Sequence, residues 1–314
     1  MGAQLRVVRR RIPSVQSTKK ITRAMELIAS SRIVRAQQRV EQSRPYAEQL
    51  TKAMEDLAAN GASIQHDLLA DRPEPRRVGV LALTSDRGLA GAYSTNVLKE
   101  AEGVVREVRA RGLEPVLYVV GKKGVGYFRF RGVAIERDWQ GFSEVPVYEK
   151  AEEIGRTLIG AFAEERIDEL WCAYTDFRSA FTQRATHKRF LPIAPEEVTG
   201  KGDATVAPEY LFEPEPEQIL DHLLPQYLIT KIWAALLESA ASENAARRRA
   251  MKAATDNADE LLKVLTRQAN RARQDEITTE IMEIVGGAEA LGQSGHDALR
   301  VDIGALSPEL EESR

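Results

Sequence analysis

The chain has 314 residues, 43% hydrophobic and 29% charged, with a formal net charge of -3. That length allows one large domain or two modest ones, and no apolar run approaches the roughly 20 residues that span a bilayer. A single cysteine, Cys172, excludes an internal disulfide and fits a reducing compartment.

The N-terminus is basic, but the apolar segment of a secretory signal does not follow it, so a cytoplasmic protein is expected. The near-neutral total conceals an asymmetry. Between Met1 and Lys52 twelve basic residues face only Glu26, Glu41 and Glu48. Such a face attracts an acidic partner, whether nucleic acid, anionic lipid or acidic protein.

Residues 1–60 read as one helical arm that starts near Ala3 and stops at Asn60-Gly61. At ~1.5 Å per residue it would extend on the order of 80 Å, more than a small domain covers. Its apolar stripe is thin: Ile21, Met25 and Ile28, then Ser31 and Arg32. Pro13 either opens the helix proper in its first turn or bends it.

Residues 77–198 alternate as an α/β domain does. A continuous apolar strand at 78–84 is followed by the turn Ser85-Asp-Arg-Gly-Leu-Ala-Gly91 and a helix over 93–111. A second strand at 115–120 ends in the turn Gly121-Lys-Lys-Gly124. Another helix covers 147–165, a strand 168–174, and an antiparallel strand of mixed polarity 182–193. This order predicts a mostly parallel sheet with right-handed crossovers. Residues 199–217, rich in Gly, Pro and acid, read as a returning loop.

Residues 217–291 form the second helical arm, with Pro225 in its early turns. Ala254, Ala258, Leu261, Leu265, Gln268 and Ala272 recur at four and three, and Ile277, Ile281 and Ile284 resume the pattern after a stutter. Heptad spacing requires a coiled-coil partner, and the first arm, packed antiparallel, is the nearest one. Thr255, Asp256 and Asn257 are poor choices for generic packing and point to hydrogen bonds with a surrounding partner.

Chemistry is hard to place here. Asp86-Arg-Gly-Leu-Ala-Gly91 is not the G-x-G-x-x-G of a dinucleotide fold, and no acid ends the second strand to hold a ribose. Gly121-Lys122-Lys123-Gly124 lacks the G-K-[ST] of a phosphate loop, so these glycines read as turn formers. His66, His187, His222 and His296 have no metal-ligand spacing. Cys172, mid-strand beside Trp171, reads as a small buried residue.

Lys20-Ile-Thr-Arg-Ala-Met-Glu-Leu-Ile-Ala29 resembles the N-terminal signature of the gamma subunits of bacterial F-type ATP synthases. Met251-Lys-Ala-Ala-Thr-Asp-Asn257 and Arg273-Gln-Asp-Glu-Ile-Thr-Thr-Glu-Ile281, with Ile284-Val-Gly-Gly287, resemble its C-terminal signature. Thr84-Ser-Asp-Arg-Gly-Leu-Ala-Gly91 is similar to its central turn. The resemblance is collinear over about residues 3–291. It implies a long antiparallel coiled coil of the terminal helices plus a central Rossmann-like α/β domain, with no catalytic site, metal or cofactor of its own.

The implied partners are the alpha and beta subunits of the catalytic head, the epsilon subunit and the membrane c-subunit ring. The implied place is the cytoplasmic face of the cell membrane, held peripherally. By motif alignment, torque and coupling contacts fall on Met25, Glu243, Arg247, Gln274 and Thr278. Residues 292–314 extend past the resemblance and are expected to be a flexible tail. The paired cysteines of redox-regulated relatives are missing, because Cys172 stands alone. A nucleotide-dependent enzyme on the central fold, or a nucleic-acid-binding coiled coil using the basic arm, are the alternatives; bound nucleotide or salt-sensitive DNA binding would favour them.

Overall fold

The computed structural model describes residues 2–59, 66–179, 181–194, 197 and 216–301. In chain order these form α1 (Gly2–Ala59), β1 (Arg77–Leu83), α2 (Tyr93–Ala110), β2 (Glu114–Val120), α3 (Lys122–Phe130) and β3 (Arg137–Trp139). They continue with α4 (Tyr148–Ala163), β4 (Glu169–Phe177), β5 (Gln183–Leu191) and α5 (Pro216–Val301). The helix α1 runs unbroken through Pro13. The expected loop over 199–217 lies outside the described residues up to 215. In the expected tail, residues 292–301 continue α5 as helix instead of leaving it at Leu291, and residues 302–314 lie outside the described residues.

Two compact units divide the chain, one of residues 23–253 and one of residues 1–22 with 254–314. The larger unit holds a five-stranded sheet ordered β3-β2-β1-β4-β5. The first four strands pair in parallel, and β5 runs antiparallel to β4. Successive residues of β1 serve opposite faces, as the strand period requires. Val78, Val80 and Ala82 pack with Val97, Val104 and Phe128 from α2 and α3. Leu81 and Leu83 pack with Ile154, Leu158, Leu224 and Leu228 from α4 and α5, and with Met54 and Leu57 at the end of α1. A strand covered on both faces must be apolar throughout, which is why residues 78–83 form an unbroken apolar run.

The helix α3 stands where the sequence reads as a turn only. Gly121 takes φ 95° and caps the helix. A Cβ on Gly124 would lie 2.6 Å from Thr84 Oγ1, and its N–H instead donates to that oxygen at 2.9 Å. The glycines therefore let α3 start hard against the end of β1, which is a packing role.

Along α1 the buried side chains are not the expected ones. Ala29, Ile33 and Ala36, and again Leu50, Met54 and Leu57, recur at four and three and are buried, while Ile21 and Ile28 are 57% and 53% exposed. In the smaller unit, Thr22 and Thr255 share a hydrogen bond between hydroxyls at 2.8 Å, and Lys19 pairs with Asp259. Partners that move up α5 as they move down α1 make the packing antiparallel.

The seam of α5 is shifted as well. Thr255, Ala258 and Leu265 are buried and Leu261 is 47% exposed. Two heptad registers share Ala258 and Leu265, and apolar content favours the one through Ala254 and Leu261. The structure takes the other, because Thr22 satisfies the Thr255 hydroxyl across the seam, which removes the cost of burying it. Thr255 thus finds its partner inside the chain, against the expectation of an external one.

Candidate functional site

The five residues assigned to partner contact divide into separate settings. Gln274 and Thr278 lie one turn apart on an exposed stretch of α5, where the Thr278 hydroxyl donates to the Gln274 carbonyl at 2.9 Å. Beside them Ile277, Ile281, Met282 and Ile284 are 48–71% exposed, an outward apolar row along the same helix. Met25 is half-buried on α1.

Glu243 and Arg247 stand differently. Their exposures within this chain are 0% and 5%, so their side chains are turned toward the chain's own interior. Both lie within the larger unit, one turn apart on α5, and the Arg247 Nη2 donates to Glu243 Oε1 at 2.7 Å. The same guanidinium reaches the carbonyls of Arg87 and Gly88 at 3.5 and 3.4 Å, and its Nη1 lies 3.2 Å from Glu144 Oε1. Glu144 also pairs with Arg32 of α1 and lies 3.6 Å from Arg87 Nη1. One largely buried carboxylate from the loop after β3 therefore ties together α1, α5 and the turn after β1.

That turn is held from its other side by Asp86. Asp86 Oδ2 accepts from the Ser143 N–H at 2.9 Å, and the Asp86 N–H donates to Ser143 Oγ at 2.8 Å. Asp86 Oδ1 accepts from the Lys122 N–H at 3.2 Å, and Leu89 takes φ 63°. The turn 84–91 is a lock between the loops after β1, β2 and β3, with its arginine side backed by Arg247. At the start of α3 the N–H groups are taken by this turn and not left for a phosphate: Lys122, Lys123 and Gly124 donate to Asp86, Ser85 and Thr84.

Burial decides the electrostatics at this cluster. It pushes the Glu243 carboxyl up to about 7, against the opposing pull of the Arg247 guanidinium. Glu238, nine residues before Arg247 on α5, is likewise pushed up to about 7 by burial and by Asp176. The Cys172 thiol is raised by burial and is enclosed in the core, so nucleophilic chemistry there is disfavoured.

Glu144, Arg32 and Arg87 escaped the sequence reading. They lie far from Arg247 in the chain, and no local spacing marks them. The only signal was the basic excess on the first arm, which the structure partly matches from within: Arg32 meets Glu144, and Lys19 meets Asp259. Among the described residues no group of His, Cys, Asp and Glu is placed to hold a metal, and no helix is long and apolar enough to cross a membrane.

A family model described as ATP synthase matches residues 4–291. The ATP synthase gamma chain of Acidothermus cellulolyticus is 53% identical over 301 residues, covering 95% of this chain and 100% of that one. The ATP synthase gamma chain of Mycolicibacterium smegmatis is 51% identical over 310 residues, covering 94% and 100%. Among solved structures, a chain of the Euglena gracilis mitochondrial ATP synthase (OSCP, F1 and c-ring, rotational state 3) superposes with a TM-score of 0.67. It is 18% identical and both chains are covered in full. A chain of the Tetrahymena thermophila central stalk and c-ring gives 0.53 at 22% identity, covering 74% of this chain and 99% of that one. At those identities the likeness is one of fold.

Proposed function

The chain belongs to the ATP synthase gamma-chain family, and we propose that it is the central shaft whose rotation couples proton flow to ATP synthesis and hydrolysis. The observation that carries this is the match at 53% identity over 95% of the chain, with the whole of the relative covered. The antiparallel terminal helices agree with it, and so does the outward apolar row on α5.

In this reading α1 and α5 stand inside a ring of alternating alpha and beta subunits. The sheet-bearing unit meets the epsilon subunit and the c-subunit ring. The complex is membrane-associated, and this chain sits peripherally on its cytoplasmic face. ATP is handled at the beta subunits, and this chain supplies contacts and no catalytic group. A shaft can drive its partners only by contacting their conformations differently. Exposed, weakly paired groups suit that task, because each exposed ion pair is worth only about 0–1 kcal/mol and releases easily.

Met25, Gln274 and Thr278 are the residues we assign to contact with the beta subunits. Glu243 and Arg247 we assign to an internal clamp. Through Glu144 it fixes the sheet-bearing domain to both helices within the larger unit, so that torque entering at the domain reaches the shaft without slippage.

Mixing the purified chain with separately purified alpha and beta subunits tests the reading. Co-elution as one large complex with strongly raised ATPase activity supports it. Failure to assemble, or nucleotide hydrolysis by this chain alone, refutes it. In reconstituted vesicles Met25→Lys, which adds a charge facing the beta subunit, should lower proton pumping per ATP hydrolysed; unchanged pumping would sink its assigned role.

A further inference from the structure

One face of the sheet carries α2 and α3 side by side, held by Val97, Val104 and Val108 of α2 and by Val125 and Phe128 of α3. Glu102 joins the two helices laterally, accepting from the Tyr127 hydroxyl at 2.8 Å and from Arg131 Nη1 at 2.9 Å. Within the larger unit α4, α5 and the end of α1 pack on the opposite face. The outward side of the α2–α3 layer is therefore separate from the clamp at Glu243 and Arg247.

Lys99, Gly103 and Arg106 recur at four and three on α2, and Lys123, Gly126 and Phe130 at three and four on α3, so each set shares the outward face of its helix. Three features of this surface serve nothing within the described chain. Phe130 is 92% exposed, a whole aromatic ring left in water. A Cβ on Gly103 or Gly126 would meet nothing within 4 Å, and neither glycine has a positive φ. Each weakens its helix relative to alanine without serving a turn or a close approach. Lys99, Arg106, Arg109 and Lys123 make no ion pair or side-chain hydrogen bond with a described residue. Of the acids on α2, Glu100 is taken by His187 and Glu102 by Arg131, which leaves Glu107, and α3 has none.

We propose that this face docks an acidic α-helical segment of another protein. The cations supply charge complementarity, and Phe130 supplies the apolar anchor. Bare backbone at Gly103 and Gly126 lets a second helix come close to both. A bilayer suits the surface less, because one aromatic ring is too little apolar area for stable anchoring. A nucleic-acid strand suits it less as well, because successive bases stack on several rings. The proposal stands whether or not the chain is a shaft.

The test uses the purified full-length chain and a fluorescently labelled synthetic helix with a glutamate face and a leucine face, followed by anisotropy. Saturable binding that weakens with rising salt is expected. Phe130→Ala, at a site too exposed to disturb folding, should weaken it by roughly tenfold or more. Lys99→Gln with Arg106→Gln should weaken it and flatten its salt dependence. Gly126→Ala should weaken binding and yet raise the melting temperature, because alanine favours the helix and meets no clash. Lys20→Glu, in the smaller unit, should leave binding unchanged. Absence of saturable binding, equal binding of a lysine-faced peptide, or binding that no α2 or α3 variant weakens overturns the proposal. So does tighter binding to phosphatidylserine vesicles or to a DNA duplex that Phe130→Ala abolishes.

Discussion

Glu243→Gln should flatten the pH dependence of the larger unit. The Glu243 carboxyl is raised from 4.5 to about 7 by burial, and Arg247, Glu144 and Ser143 act on it at close range. It also faces the buried Tyr93 hydroxyl, and Arg32 and Arg87 stand behind Glu144. A carboxyl with a higher pKa folded than unfolded holds its proton more firmly in the fold. Its stabilising contribution is complete below about pH 4.5 and is lost as pH rises through about 7. At 1.36 kcal/mol per unit, the rise from 4.5 to about 7 corresponds to roughly 3 kcal/mol.

Glu238 is raised over the same range by burial and Asp176, so wild type should lose stability between about pH 5 and about pH 8 through both groups. Carboxyls held low do not interfere. Glu153 is lowered by its bond from Lys150, and at Glu169 burial is outweighed by bonds from Arg111 and Trp171, so both titrate below that window. The chain's three tryptophans, Trp139, Trp171 and Trp233, all lie in the larger unit. Urea unfolding followed by their fluorescence therefore reports that unit within the intact chain. Glutamine mimics the protonated acid, so Glu243→Gln should remove about half of the fall. A variant with the full wild-type pH dependence, or a wild type that gains stability toward pH 8, would refute the reasoning.

Gly121→Ala should be far more damaging than its size suggests. Gly121 sits at φ 95°, and an added Cβ would lie 2.3 Å from the Thr84 carbonyl oxygen, a backbone atom that cannot move aside. A loss of about 3 kcal/mol or more is expected from strain and clash together, read as a lower urea midpoint of tryptophan fluorescence; a wild-type midpoint would exclude the close approach. Cys172, wholly enclosed with its thiol pushed up by burial, should resist an aromatic disulfide reagent in the native chain and react at once in denaturant. Prompt native labelling would mean that the core opens readily.

Much of this protein is legible from local pattern. The apolar run at 78–83, the amphipathic stretches after it and the long charged arms carry the element order, because burial on two faces, on one stripe or on none leaves different residue periods. Heptad spacing calls for a partner helix, and the signature segments near Met25 and Asn257 point to the family. Which heptad register is used does not follow. Both registers of α5 share Ala258 and Leu265, and the choice rests on a Thr22–Thr255 hydrogen bond between residues 233 apart in the chain. The same limit hid α3, whose glycines serve contact with Thr84 as well as turning. It also hid the inward placement of Glu243 and Arg247: motif spacing places them on one helix face, but only the packed fold brings Glu144 and the turn after β1 against that face. Local sequence sets what each segment can bury; long-range packing decides which polar groups are enclosed together, and therefore which side of each helix is left for a partner.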